Sequence, residues 1–301
     1  MALSAVASSG CGIVPHVVSK GAAGYLDAGA LVFQQEPDPQ IAREAIPANF
    51  KLLEILLSRT PRDKTLLTLG AQYIATYAYA FVEPDVEMLE PTDPAGADAA
   101  RVRASQLYLR GKAYGLRALA GEKRFIQGLS GTPEELQAGL KTLGKKQLPA
   151  LFWTSFCWGS HANLNVDDPE ALAESAKVVA MMGRVMEIDD TYYYGGAHLF
   201  FGALAARLPM EAGGDAKKSL QEFEKALAIS QGHLLMTKVF FARYYAVRVQ
   251  DAALFTSLLR EVNTADITAW PDERLANALA QERARFYLQH RDEYFLSADV
   301  P

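Results

Sequence analysis

Cys157 and His161 stand four residues apart, the spacing that brings two side chains onto one face of a helix. A thiol beside an imidazole base is the arrangement of a covalent nucleophile. The surrounding Phe152-Trp153-Thr154-Ser155-Phe156-Cys157-Trp158 run argues against that chemistry. Apolar neighbours disfavour the thiolate, so the pair reads as structural. Glu187, Asp189 and Asp190 gather where one predicted helix ends and the next begins. Asp190 or Thr191 as an N-cap is the simpler account of that cluster. The histidines at 16, 161, 198, 233 and 290 show no metal-ligand spacing. Phosphate-binding glycine loops, His-Glu-x-x-His, Gly-x-Ser-x-Gly and Cys-x-x-Cys motifs are all missing. The sequence therefore predicts a binding protein, not an enzyme, with no cofactor and no metal.

Aromatic residues carry the stronger signal. Trp153, Phe156 and Trp158 share one predicted helix. Tyr192, Tyr193, Tyr194, His198, Phe200 and Phe201 surround Gly195-Gly196 on another, and Phe240, Phe241, Arg243, Tyr244 and Tyr245 crowd a third. Tyr and Trp offer apolar area with a polar tip, which suits a ligand cleft as well as a core. Each of these residues has both readings open. Residues 83–98 form the longest stretch expected to be irregular, with Glu83, Asp85, Glu87, Glu90, Asp93 and Asp98 and no base. The next helix is rich in Arg and Lys. Either the acidic segment folds back on that neighbour or it is a docking surface.

The elements that must hold these residues read as helices throughout. Asp38-Pro39 opens one, with Asp as cap and Pro in the first turn, and Pro61 follows its end. Thr132-Pro133-Glu134-Glu135 is a capping box. Asp168-Pro169 starts a helix running towards Asp189, Asp251 caps another, and Pro271-Asp272 begins the last long one. No Asn-Gly or Asp-Gly turn separates alternating apolar runs, so strands are not expected.

Three places resemble degenerate tetratricopeptide (TPR) units. These are Leu69-Gly70-Ala71-Gln72-Tyr73, Phe201-Gly202 with the later Phe223-Glu224-Lys225-Ala226-Leu227, and Gly111, Gly115 and Ala118-Leu119. In each, a small residue lets two helices cross closely. The expected fold class is all-α, TPR-like helix-turn-helix repeats forming a solenoid with flanking helices. An ordinary helical bundle with Gly at its crossings is the alternative.

The chain has 301 residues, half of them apolar, and a net charge of −5. That charge, with no long basic tract, excludes a nucleic-acid grip. No uncharged apolar run is long enough to span a bilayer. The opening Met-Ala-Leu-Ser-Ala-Val-Ala-Ser-Ser-Gly-Cys has the small apolar character of a lipoprotein signal ending at a lipidated Cys11, without a basic start. A disordered Ala/Ser-rich terminus is the other reading. The expected organisation is a leader at 1–20 and one helical domain at 21–301.

Several blocks, in one order, resemble a known family. They are Phe50-Lys51-Leu52-Leu53-Glu54, Tyr108-Leu109-Arg110-Gly111-Lys112-Ala113-Tyr114-Gly115, Leu151-Phe152-Trp153-Thr154 with Trp158-Gly159, Tyr193-Tyr194-Gly195-Gly196-Ala197-His198, Ala242-Arg243-Tyr244-Tyr245-Ala246-Val247, and Leu275-Ala276-Asn277. With a Cys near the start, the chain resembles the TRAP transporter T-components (TatT), TPR-bearing periplasmic lipoproteins of tripartite ATP-independent transporters. The resemblance implies a homotrimer, an apolar cleft or pore, a periplasmic site with a lipid anchor, and a solute-binding protein of the TRAP system as partner. It makes Trp153, Trp158, Tyr193, His198, Arg243 and Tyr244 candidates for lining a cleft that takes an apolar or amphipathic solute. Arg243 would neutralise a carboxylate on that solute. A TPR-like scaffold unrelated to transport is the alternative function.

Overall fold

The computed structural model describes residues 24–296 apart from Asp27. The leader expected at 1–20, with Cys11, lies outside them. The described fold is all-α. Its first half runs α1 (Pro39–Arg59), α2 (Lys64–Tyr77), α3 (Pro84–Leu89), α4 (Pro94–Ala118), α5 (Lys123–Gly128), α6 (Pro133–Leu140) and α7 (Leu148–Leu164). The second half runs α8 (Pro169–Ala173), α9 (Ser175–Ile188), α10 (Tyr192–Arg207), α11 (Ala216–Ile229), α12 (Met236–Phe240), α13 (Ala252–Thr264) and α14 (Arg274–Gln289). Two π-helical turns, Ala78–Val82 and Phe241–Ala246, extend α2 and α12.

Local chemistry explains most boundaries. Asp38 accepts from the Gln40 N–H and Pro39 sits at the first helical position of α1. Thr132 and Glu135 complete the capping box of α6. Asp251 caps α13 through the Leu254 N–H at 2.8 Å. Each such cap satisfies an N–H that the helix cannot.

The segment 83–98 differs from the expected irregular stretch. Pro84 and Pro94 each occupy a first turn, where the missing N–H is no loss, and they start α3 and α4. Asp93 caps α4 by accepting from Gly96 N at 3.0 Å. The helix expected from Asp168-Pro169 is divided at Glu174 into α8 and α9. The last long helix begins at Arg274, after a 3-10 turn at Pro271–Glu273.

Consecutive long helices pack antiparallel. Along α2 and α4, Gly70 faces Tyr114 and Tyr77 faces Arg103. Along α4 and α7, Ser105 meets His161 while Gly115 meets Thr154. A methyl group at Gly111 or Gly115 would collide with Cys157 Sγ or Thr154 Oγ1, so only glycine permits this crossing. Along α10 and α11, Asp215 N donates to Ala205 O, Ser219 Oγ to Gly202 O, and His198 meets Glu222. The core between these layers includes the fully buried Trp153, Tyr108, Phe152 and Phe223. The array curls until its ends meet. Arg283 on α14 donates from Nη1 to the Tyr79 hydroxyl at 3.0 Å and from Nη2 to the Tyr79 carbonyl.

A central cleft as the candidate ligand site

Where the ends of the array meet, a cleft of about 450 Å³ remains open. Its floor and walls come from elements far apart in the chain: Tyr79 on the first π turn, Glu83 and Glu87 at α3, Asn163 at the end of α7, Arg207 at the end of α10, and Tyr244 on the second π turn. Arg283 and Tyr287 on α14 complete it. A π turn carries one more residue than an α turn and re-aims the side chains it holds. Here both π turns present polar and aromatic groups to the cleft. Val86, Leu164, Phe240, Val247 and Phe286 supply apolar wall. The volume falls within the range of small-molecule sites, roughly 300–1,000 Å³.

Glu87 is the hub of one wall. Its carboxylate accepts from Arg243 Nε at 2.9 Å, from the Tyr287 hydroxyl at 2.7 Å and from the Tyr294 hydroxyl at 3.1 Å. Arg243 Nη2 lies 2.8 Å from the same carboxylate. The guanidinium stacks 4.6 Å from the Tyr294 ring centre. Burial works against its charge, but Glu87 and these tyrosines hold Arg243 above its ordinary range. Glu83 sits deeper and accepts from the Tyr108 hydroxyl. Burial pushes its carboxyl above the usual glutamate range, against the opposing pull of Tyr108, Arg283 and Arg207.

Of the residues the sequence singled out, Arg243 and Tyr244 are on the cleft wall, and the other four are not in its lining. Trp153 is 1% exposed and packs on Phe152 and Tyr193, with ring centres 5.0 and 4.7 Å away. Trp158 is buried, donates from Nε1 to Glu174 at 2.7 Å, and carries Lys112 Nζ 3.5 Å above its ring centre. His198 is 2% exposed, bonds Glu222 through Nδ1, and so ties α10 to α11. Tyr193 is partly exposed on a left-handed run, with φ of 49°, 58° and 72° at Tyr193, Tyr194 and Gly195. The helix expected to carry all these aromatics is thus broken at its start. Such backbone is strained for tyrosine.

Arg243 is engaged by Glu87 and does not face the cleft as a lone cation, as a carboxylate receptor would require. The sequence named Glu83 and Glu87 only as members of an acidic segment, folded back or a docking surface, and gave no sign of Asn163, Arg207, Arg283 or Tyr287 in the cleft. The i, i+4 spacing of Glu83 and Glu87 around Pro84 was the signal that could have paired the two acids on one face. The Cys157 and His161 side chains turn to different partners. Cys157 Sγ lies 3.9 Å from the Ala71 carbonyl and His161 Nδ1 lies 2.9 Å from Ser105 Oγ. Burial pushes the thiol well up and the imidazole down. Among the described residues no cluster of three or more His, Cys, Asp or Glu is placed to hold a metal, and no helix is long and apolar enough to cross a membrane.

Residues 35–295 match the family model described as TAtT, TRAP transporter T-component. An uncharacterized protein of Treponema pallidum (strain Nichols) is 25% identical over 270 residues, which cover 88% of this chain and 83% of the relative.

Proposed function

From the premise that the chain belongs to the TRAP transporter T-component family, we propose that it acts outside the cytoplasmic membrane, holding a solute in the central cleft and engaging the solute-binding protein of its transporter. The observation that carries this reading is the cleft itself, about 450 Å³ left open where the first and last helical layers meet. Its mixed wall of apolar side chains and tyrosine hydroxyls suits an amphipathic solute. A component with such a site and no chemistry of its own would store or relay the solute while an ion gradient drives uptake. Lipidation of Cys11 would hold it at a membrane surface. Assembly as a homotrimer belongs to the same proposal. Self-association, though not its number of copies, is supported by Ile41, Leu52 and Ile55, which are exposed along α1. With Ala45 and Ala48 they repeat at alternating steps of four and three, the period of a helix-to-helix seam.

The test mixes the full purified chain with the solute-binding protein of the same transporter and follows complex formation by calorimetry and light scattering. The expected result is a saturable complex whose affinity changes when the solute-binding protein is loaded. Absence of any complex, loaded or unloaded, would falsify the transport-partner role. Capture of cytosolic peptides in its place would favour a scaffold unrelated to transport.

A further inference from the structure

We infer that the cleft selects an anionic amphiphile whose charged group is met at the rim by Arg207 and Arg248, while Asn163 accepts a hydrogen bond from the ligand. The inference rests on the cleft being a solute site and names the chemistry of that solute. Charged groups on the wall are five arginines and two glutamates. The interior charges are already answered. Arg243 pairs with Glu87, Arg283 donates to Tyr79, and Glu83 takes the Tyr108 hydroxyl. Arg101, at the rim, lies 3.8 Å from Asp98. Arg207 and Arg248 are different. Arg207 acts on Glu83 only through space, and among the described residues neither arginine forms a salt bridge or a side-chain hydrogen bond; both are exposed on the wall. A fork of five donors without an acceptor is suited to carboxylate, sulfonate or phosphate oxygens.

Asn163 gives an independent pointer. Its Oδ1 is buried on the cleft wall and meets no donor among the described residues. A buried carbonyl oxygen without a partner is destabilising by roughly 1–3 kcal/mol, so a ligand N–H or O–H there would be rewarded. Leu164, Phe240 and Val247 add apolar wall to the same cleft. The complementary molecule carries an anion at one end, an apolar body, and a hydrogen-bond donor. Arg207 also lies in the last turn of α10, where a cation complements the helix dipole. That role alone would not discriminate between a charged and a neutral ligand.

The test uses two fluorescent probes that share one skeleton and one amine N–H: anilinonaphthalene sulfonate, which is anionic, and N-phenylnaphthylamine, which is neutral. Wild-type protein is expected to prefer the sulfonate, and the preference should weaken as salt screens the rim. The Arg207→Ala/Arg248→Ala double variant should lower that preference about tenfold, the effect of losing one charge-assisted hydrogen bond. An unchanged preference overturns the assignment of the rim. Asn163→Leu keeps the shape and removes the oxygen, and it should weaken both probes alike; unchanged affinities remove Asn163 from the site. Val247→Trp, which fills the cleft, should exclude both probes. If both still bind that variant, it is the cleft as a solute site that fails, and not merely its preference for anions.

Discussion

Glu83 is the residue at which position alone changes chemistry. Burial raises its carboxyl above the usual glutamate range, so between the unfolded and the folded value the folded chain binds a proton that the unfolded chain has released. For this group, stability is fully present below the unfolded glutamate value and is lost as pH rises through the folded one. Glu83→Gln cannot ionise and lacks that loss. The melting temperature of the variant should therefore gain on the wild type as pH climbs from about 4 to about 8, and a constant difference would contradict the burial argument. The facing charges are Arg283 from α14, Arg207 from α10 and Glu87 from α3, with Tyr108 bonded directly. Residue type alone did not reveal this site. Six acids without a base between 83 and 98 look like solvated surface, and only the fold turns two of them inward. Arg243 and Tyr244 were legible as an aromatic and basic cluster. Trp153 and Trp158 lie on a helix that is apolar nearly all round, the mark of an element buried on every side.

Helix limits were readable at Asp38, Thr132 and Asp251, where a side chain caps the first turn, but not at Pro84 or Pro94, whose acidic surroundings read as loop. The crossings were readable too, because Gly111 and Gly115 stand one turn apart and only a close neighbour explains both. Gly115→Val should therefore force α4 from α7 and lower stability by about 1–3 kcal/mol, visible as an earlier urea midpoint with an unchanged slope. A variant as stable as the parent would mean that the two helices have room to move apart. The π turns were not legible. One added residue per turn changes hydrogen-bond register without changing the apolar period over so short a run. The left-handed run at 193–195 was hidden for a related reason. Tyrosine has no preference for positive φ, so tertiary packing against Trp153 and Phe152 must hold it.

At the scale of the molecule, the cleft exists because the array closes on itself. Arg283 holds that closure through two hydrogen bonds to Tyr79, with its guanidinium 4.4 Å from the ring centre. Arg283→Ala should loosen the seam without unfolding the separate hairpins. Faster amide exchange confined to residues 78–82 and 274–289 would report it. Uniform exchange across the chain would show that α14 is instead part of a single cooperative unit. The all-α class was evident from period and punctuation. Closure was not, since no pattern in α2 or α14 announces a contact with the other.

The two sides of that seam, Tyr79 and Arg283, stand 204 residues apart in the polypeptide. Early hairpins can form from local contacts as the chain is made, yet the hollow has no far wall until α14 has been made and docked. A product that stops before α14 would lack Arg283, Phe286 and Tyr287 from the cleft wall. The cleft thus takes shape only when α14 docks against the first π turn, so a fragment lacking that helix would keep its early hairpins and lose the hollow.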